Sequence, residues 1–520
     1  MNRIGAVLFA CGVAAVVQAG AARAASPDPK DLAVSPQELS KARALLQKLG
    51  SDSYRDREDA QAELAKMGRL AKGVLAEAAT TGEDPEIRLR AARLLPKANA
   101  ADLKARIDTF LEDKQGKFEH DLPGLKVFRE KLGAGDKSRA LYAEILKSPY
   151  NLELFAAVEK GNTEGGRAVG DRRNTMWMDM NGQRFVGTGK PTAPRQPSLA
   201  DIAAVLFAEA LVPSDSIPKT GQWAYMNSGQ FLQQSASITE LNSSDRPHHT
   251  AYRTIVANWI GTRTDAMEMS NIVYMLNNAP FASFKESQTL LRRIVLTDGV
   301  QLWARGQALN MLVQKNGKDE AKFLRGALKG ELRAGDYPDL YPNEKDPNRK
   351  IAISNDGVVQ QVHWQKPGQP QGQMYSIQLR DAALAFLLHQ EKLNIRDFGF
   401  ETQPGFNPPP GQPLYFGQYA FTTDEQRGFG LVKWGWKLMK DSMSPSAKDA
   451  PKPDDKKDEK PKPEGDSDAK PTGGVKPVRP GVRPLPAPVK PVALPAPAPA
   501  NDLPGAQPLP APAKPDVEKK

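Results

Sequence analysis

The chain has 520 residues, 71 Lys and Arg against 61 Asp and Glu, a formal charge of +10, 40% hydrophobic residues and one cysteine. A chain this long can bury a large core, and a single thiol excludes a disulfide framework as its source of stability. Basic residues are interspersed with acidic ones, with no basic patch interleaved with aromatics, so nucleic acid is not expected as a partner and a mixed, solvated surface is.

At the start, Asn2-Arg3, the apolar run Ile4 to Val17 and the small residues of Ala22-Arg23-Ala24 predict a secretory signal peptide over 1–24. The run falls short of the roughly 20 residues that a membrane span needs. Cys11 lies within it, so the mature chain is expected to lack thiol chemistry, to have no transmembrane segment, and to be exported to the periplasm, cell surface or medium.

Residues 31–160 read as amphipathic helices. Ser35-Pro36-Gln37-Glu38 is a capping box with proline at the first helical position, followed by the apolar face Leu39, Ala42, Leu45, Leu46 and Leu49. A second helix should end at Gly68. Asp84-Pro85 opens another, which Pro96 should end, and further helices are predicted over 100–112, 136–147 and 149–159. Through this region and beyond runs a repeat, Arg-x-x-Ala-x-x-x-Leu: Arg57/Ala60/Leu64, Arg88/Ala91/Leu95, Arg305/Ala308/Leu312 and Arg380/Ala383/Leu387. The first two copies are 31 residues apart at every position. Positions i, i+3 and i+7 share one stripe of a helix. Leu should fill the core, Ala admit a neighbouring helix, and Arg pair with an acidic residue of the adjacent helix pair, or join a ladder for an acidic ligand.

The middle region, 161–283, is irregular. Its glycines and prolines cluster near Met176–Met180, and Asn181-Gly182 before Gln183–Val186 predicts a hairpin. Helical spacing resumes at Ser198, weakens over the polar stretch 213–248, and returns at 250–260 and 265–277. In the region 284–443, helices are predicted at 284–297 with a Ser283/Glu286 box, and at 299–315, 318–330 and 376–393. An insertion, 335–375, should pair Ile351–Ile353 with Val358–Trp364 across Asn355-Asp356-Gly357. The last helix begins at Thr423 and carries Phe429, Val432, Trp436 and Met439. From 444 to 520 a charged, then Pro- and Ala-rich tail lacks core-forming composition and is expected to be disordered.

Asp56-Arg57-Glu58-Asp59-Ala60 with Leu64 and Gly68, and Asp84 to Ala92 with Leu94-Leu95, resemble bacterial HEAT repeats of the short, phycobilisome-lyase-like type. Leu379 to Ala385, ending in Asp397-Phe398-Gly399-Phe400, is similar to the last repeat of secreted bacterial HEAT proteins of otherwise unknown role. The resemblance covers 35–111 and 299–400. It implies an all-α fold, an α-α superhelix, and a partner bound through its surface; the small β-hairpin insertions are foreign to a plain HEAT array. It implies no reaction.

No catalytic or metal constellation emerges. The five histidines (His120, His248, His249, His363, His389) form no His-Glu-x-x-His and no i, i+4 pair. There is no Gly-x-Ser-x-Gly, Gly187 to Thr192 lacks the phosphate-loop residues, and Asp179 to Gly182 is too short for a calcium loop. No cofactor or metal is predicted. Aromatics in the connections, Trp177, Phe185, Trp223, Tyr225, Phe231, Trp259 and Trp364, are candidates for an interface or the core. The leading expectation is an exported, non-enzymatic scaffold binding an envelope or secreted protein, or an anionic envelope polymer. The alternatives are a hydrolase-like enzyme with a dispersed site in 161–260, and an envelope spacer acting through the tail.

Overall fold

Two hydrophobic cores organise the chain, and one long helix belongs to both. The computed structural model describes residues 26–183, 185–186, 190–191, 193–218, 227–341, 344–353, 357–366, 368, 371–406 and 417–443. The expected signal peptide, Trp223, Tyr225, the Asn355-Asp356 turn and the tail from 444 lie outside them.

The first core is built by α1 (Pro36–Lys48), α2 (Tyr54–Met67), α3 (Lys72–Thr81) and the N-terminal half of α4 (Pro85–Glu112). The expected box forms: Ser35 accepts from the Glu38 N–H and Glu38 accepts from the Ser35 N–H. Ala42, Leu49, Ala60, Leu64, Val74, Leu75 and Ala91 are buried together. Pro96 does not end its helix; α4 runs 28 residues through it. The ring deletes one intrahelical hydrogen bond, but Ala91 and Ala98 are held in the first core and Ile107 and Phe110 in the second.

The second core gathers α5 (Leu125–Leu132), α6 (Asp136–Leu146), α7 (Pro149–Lys160), α8 (Asn162–Met180) and α9 (Leu199–Leu211). It continues through α10 (Gly229–Leu232), α11 (Ser235–Asn242), α12 (His249–Gly261), α13 (Ala266–Ile272), α14 (Lys285–Leu296), α15 (Leu302–Lys329) and α16 (Leu379–Gln390). At its centre lies α9, buried at every position from Ile202 to Glu209 and packed against α7, α8 and α12. The irregular stretch expected after residue 161 is instead helix α8. Its glycines permit contact: a Cβ on Gly166 would stand 2.1 Å from the Ser216 carbonyl oxygen, and one on Gly165 would stand 3.1 Å from Val158 Cα. Asn181-Gly182 terminates α8, and the hairpin forms beyond it between β1 (Phe185–Val186) and β2 (Lys190–Pro191).

Two further expectations change. Ser283 does not cap α14; its hydroxyl donates to the Pro280 carbonyl and accepts from Arg253. Ile351 does not pair with Val358–Trp364. β3 (Leu332–Arg333) takes β4 (Lys350–Ile351), and β5 (Val358–Trp364) pairs antiparallel with β6 (Gln373–Gln378), Val362 opposite Tyr375. A short pair, β7 (Glu401–Thr402) with β8 (Tyr419–Ala420), precedes α17 (Asp424–Met443). The break predicted between 315 and 318 appears within α15, where Gly317 leaves helical geometry at φ 43°. The protein is thus mostly helical with small antiparallel hairpins. Among the described residues no helix is long and apolar enough to cross a membrane.

α17 attaches through Arg427, Gly430 and Trp434. Arg427 bonds Asp381 of α16 at 2.9 Å, Trp434 is buried, and Gly430 lets the helix lie against Phe421 and the Phe398 carbonyl. Phe429, Val432, Trp436 and Met439 point outward.

Candidate functional site

The repeat arginines were expected to reach across to acidic neighbours, and the first two do something else. Arg57 Nη1 donates to the carbonyls of Ser51 and Asp52 at 2.7 and 3.1 Å. Arg88 Nη1 donates to those of Gly82 and Glu83 at 2.8 and 3.2 Å, the same contact one repeat on. Each sits four residues past its N-cap (Ser53, Asp84), above the loop that enters the helix, and clamps that loop. The ion pair between repeats belongs to Arg90, which binds Glu58 of α2 at 2.7 Å and Gln61 at 2.9 Å. Arg305 Nε donates to the Val295 carbonyl at 2.9 Å, with Asp298 at 3.4 Å, and Arg380 Nε donates to the Gln378 side chain at 2.9 Å. Arg305 therefore ties α15 to the end of α14, Arg380 serves its own turn, and these contacts form no ladder. Ala60, Ala91, Ala308 and Ala383 are buried with Leu64, Leu312 and Leu387; Leu95 is half-buried at the edge of the first core.

The densest chemistry lies where α9, α10, α12 and α13 meet. Glu209, the one acidic side chain buried within α9, accepts from Arg263 Nη1 at 2.7 Å and from the Ser228 hydroxyl. Arg263 also reaches Glu268 of α13 at 3.2 Å and donates to the Trp259 and Glu209 carbonyls, each at 3.0 Å. Arg173 of α8 stands 3.7 Å from Glu209. Burial, outweighing Arg263 and reinforced by the charge of Glu209, pushes the Glu268 carboxyl up to about 7. Glu209 itself is held below the usual range: burial opposes this, but Arg263 and Arg173 prevail. The pair thus sets a protonated Glu268 beside an ionised Glu209. Such a pair has the acidity of a general acid–base couple. Its oxygens are engaged by arginine and serine, however, and Glu209 is wholly buried, so the cluster works as a clasp joining four helices. Arg293 makes a second clasp, donating to the carbonyls of Leu340, Asp339, Gly261 and Arg263.

A cleft of about 390 Å³ opens beside the N-terminus of α9, lined by Tyr150, Arg172, Asp179, Arg195 and Asp201 among others. Two of its charge pairs are matched: Arg172 binds Asp201 at 2.6 Å, with Asn151 at 3.3 Å and the Tyr150 ring beneath it, and Lys147 binds Glu144. Two histidines suspected of chemistry are also structural. His249 Nδ1 meets the Glu240 carbonyl at 2.8 Å, and the His248 N–H donates to the Glu240 carboxylate at 2.8 Å, fastening α12 to α11. Among the described residues no cluster of three His, Cys, Asp or Glu side chains is arranged to hold a metal ion.

Of the candidate interface aromatics, Phe231, Trp259 and Trp364 are core residues, the last donating its Nε1–H to the Gly417 carbonyl at 2.9 Å, so they offer no accessible surface. Trp177 is half-buried on α8, and Phe185 lies in β1. The exposed aromatic surface is elsewhere. Tyr274 and Trp303 stack with ring centroids 5.4 Å apart and planes 18° apart, 55% and 38% exposed. Gln301 joins them to Met267: its Oε1 accepts from Trp303 Nε1 and its Nε2 stands 4.0 Å from the Met267 sulfur. Met267 and Leu302, at the starts of α13 and α15, are exposed as well, and with the stacked rings they make up an apolar ledge.

The fold and its sites define a mostly helical protein whose buried charged clusters are hydrogen-bonded among the described residues and whose aromatic ledge faces solvent. The chain matches no protein-family model, no curated protein and no solved structure.

Proposed function

We propose that the chain is an exported, non-enzymatic helical scaffold of HEAT-like construction that docks an envelope or secreted protein on the ledge of Met267, Tyr274, Leu302 and Trp303. The observation that carries this reading is the stacked Tyr274–Trp303 pair standing in solvent. Stacking the two rings fixes a rigid apolar platform, and aromatic and Met side chains are the types enriched at protein interfaces. The ledge's own side chains are uncharged, which favours a protein over an anionic polymer as its occupant. The two loop-clamping arginines, in equivalent contacts 31 residues apart, support repeated construction in the first core. The paired charges of the Glu209 cluster and of the α9 cleft weigh against a hydrolase-like site in 161–260.

The test is capture from an envelope extract by the purified chain, beside a Tyr274→Ala/Trp303→Ala variant. The wild type should retain a specific protein, and the variant should lose it at least about tenfold. Equal capture by both, or none above background, overturns the assignment.

A further inference from the structure

A surface helix normally hides one apolar stripe and shows a polar one. α17 is apolar on both sides. Its inner side is satisfied by Trp434, Gly430 and the Arg427–Asp381 pair. Its outer side presents Phe429, Val432, Trp436 and Met439 at 57%, 59%, 64% and 40% exposure. Phe429 and Trp436 are seven residues apart, as are Val432 and Met439, so they occupy the a and d positions of a heptad seam. Gly428 and Gly435, also seven apart, border the stripe, and a Cβ on either would meet nothing within 4 Å. A second helix can therefore approach closely along that edge.

We infer that this face is covered by α17 of a second copy of the chain, the two helices running antiparallel about a two-fold axis. The stripe is self-complementary in that orientation, as a two-fold interface requires. Phe429 faces Met439 and Val432 faces Trp436 of the other copy, large residues against smaller ones. Antiparallel pairing also opposes the helix dipoles. Lys433, which would otherwise meet its own copy near the axis, is folded back: its Nζ donates to the Asp397 carbonyl at 2.7 Å, between the Phe398 and Phe429 rings. Two such stripes remove roughly 1,000 Å² from water, at the lower bound for a specific contact, which sets a reversible dimer of micromolar strength.

Sedimentation equilibrium of the purified full chain across micromolar concentrations tests this. The wild type should pass reversibly from monomer to dimer. Trp436→Lys should weaken the dimer at least about tenfold while leaving the circular dichroism and melting unchanged, because that side chain stands in solvent. Val432→Lys, at another exposed position of the stripe, should weaken it too. A wild type that stays monomeric, or a dimer indifferent to Trp436→Lys, overturns the inference. So does a monomer that binds vesicles of mixed neutral and anionic phospholipid through Trp436, which would make lipid the occupant.

Discussion

Glu268 holds its proton to about pH 7 because it is buried beside the ionised Glu209, and Arg263 and Arg173 do not outweigh both effects. In the unfolded chain the same carboxyl titrates near 4.3. The folded state therefore keeps a proton that the unfolded state releases, and raising the pH between those values lowers stability. Glu268→Gln mimics the protonated form. Melts at pH 5 and pH 8 should show the wild type losing on the order of 2 kcal/mol more than the variant over that interval. Identical slopes would mean that Glu268 is ionised throughout. Of this cluster the sequence offered one clue, a single glutamate inside the apolar run Leu199 to Leu211, while Arg263 and Glu268 carried no recognisable spacing. The repeat arginines were legible as to helix face but not as to destination. Periodicity sets the direction of a side chain, and a long guanidinium stem can turn back to a nearby carbonyl as readily as outward to a carboxylate.

At the scale of elements, the strongest signals were periodic and capped. α1, α2, α9 and α16 follow from apolar spacing, and their burial bears it out. Glycine misled where it served packing. Gly165 and Gly166 read as helix breakers, yet they let α8 lie against α7 and the Ser214–Ser216 turn. Gly166→Ala should therefore cost stability despite alanine's better helix propensity: its methyl would collide with a backbone oxygen, and a loss of about 2 kcal/mol or more in chemical denaturation is expected. Gly73→Ala in α3, where nothing lies within 4 Å, should be neutral or stabilising by comparison. A reversed order would place the α8 contact elsewhere. β6 was missed because the boundary between the insertion and the following helix was placed inside it, at 375/376, although Tyr375 and Ile377 alternate inward as a strand demands. The Tyr274–Trp303 ledge was invisible for another reason: its rings lie 29 residues apart on separate elements, and only the docking of α13 on α15 brings them together.

Across the whole molecule the two cores differ in substance. The first is filled largely by alanine (Ala42, Ala60, Ala71, Ala78, Ala91, Ala98), whereas the second buries Tyr142, Phe155, Tyr252 and Trp259. Apolar area per residue is the main stabilising quantity, so the first core should open more easily. Native-state hydrogen exchange should find the amides of α2 exchanging at lower free energy than those of α9 and α12. Equal protection would show that the cores unfold as one. α4 connects them as a rod of 28 residues, about 42 Å at 1.5 Å per residue. A continuous rod couples length to angle. One residue inserted near Lys97 would swing the N-terminal bundle by about 100° around the axis, while seven would return it close to its original bearing. Natural or engineered changes in the spacing of the two cores are therefore constrained to near-whole turns, and the azimuth of the repeats is written in the residue count of a single helix.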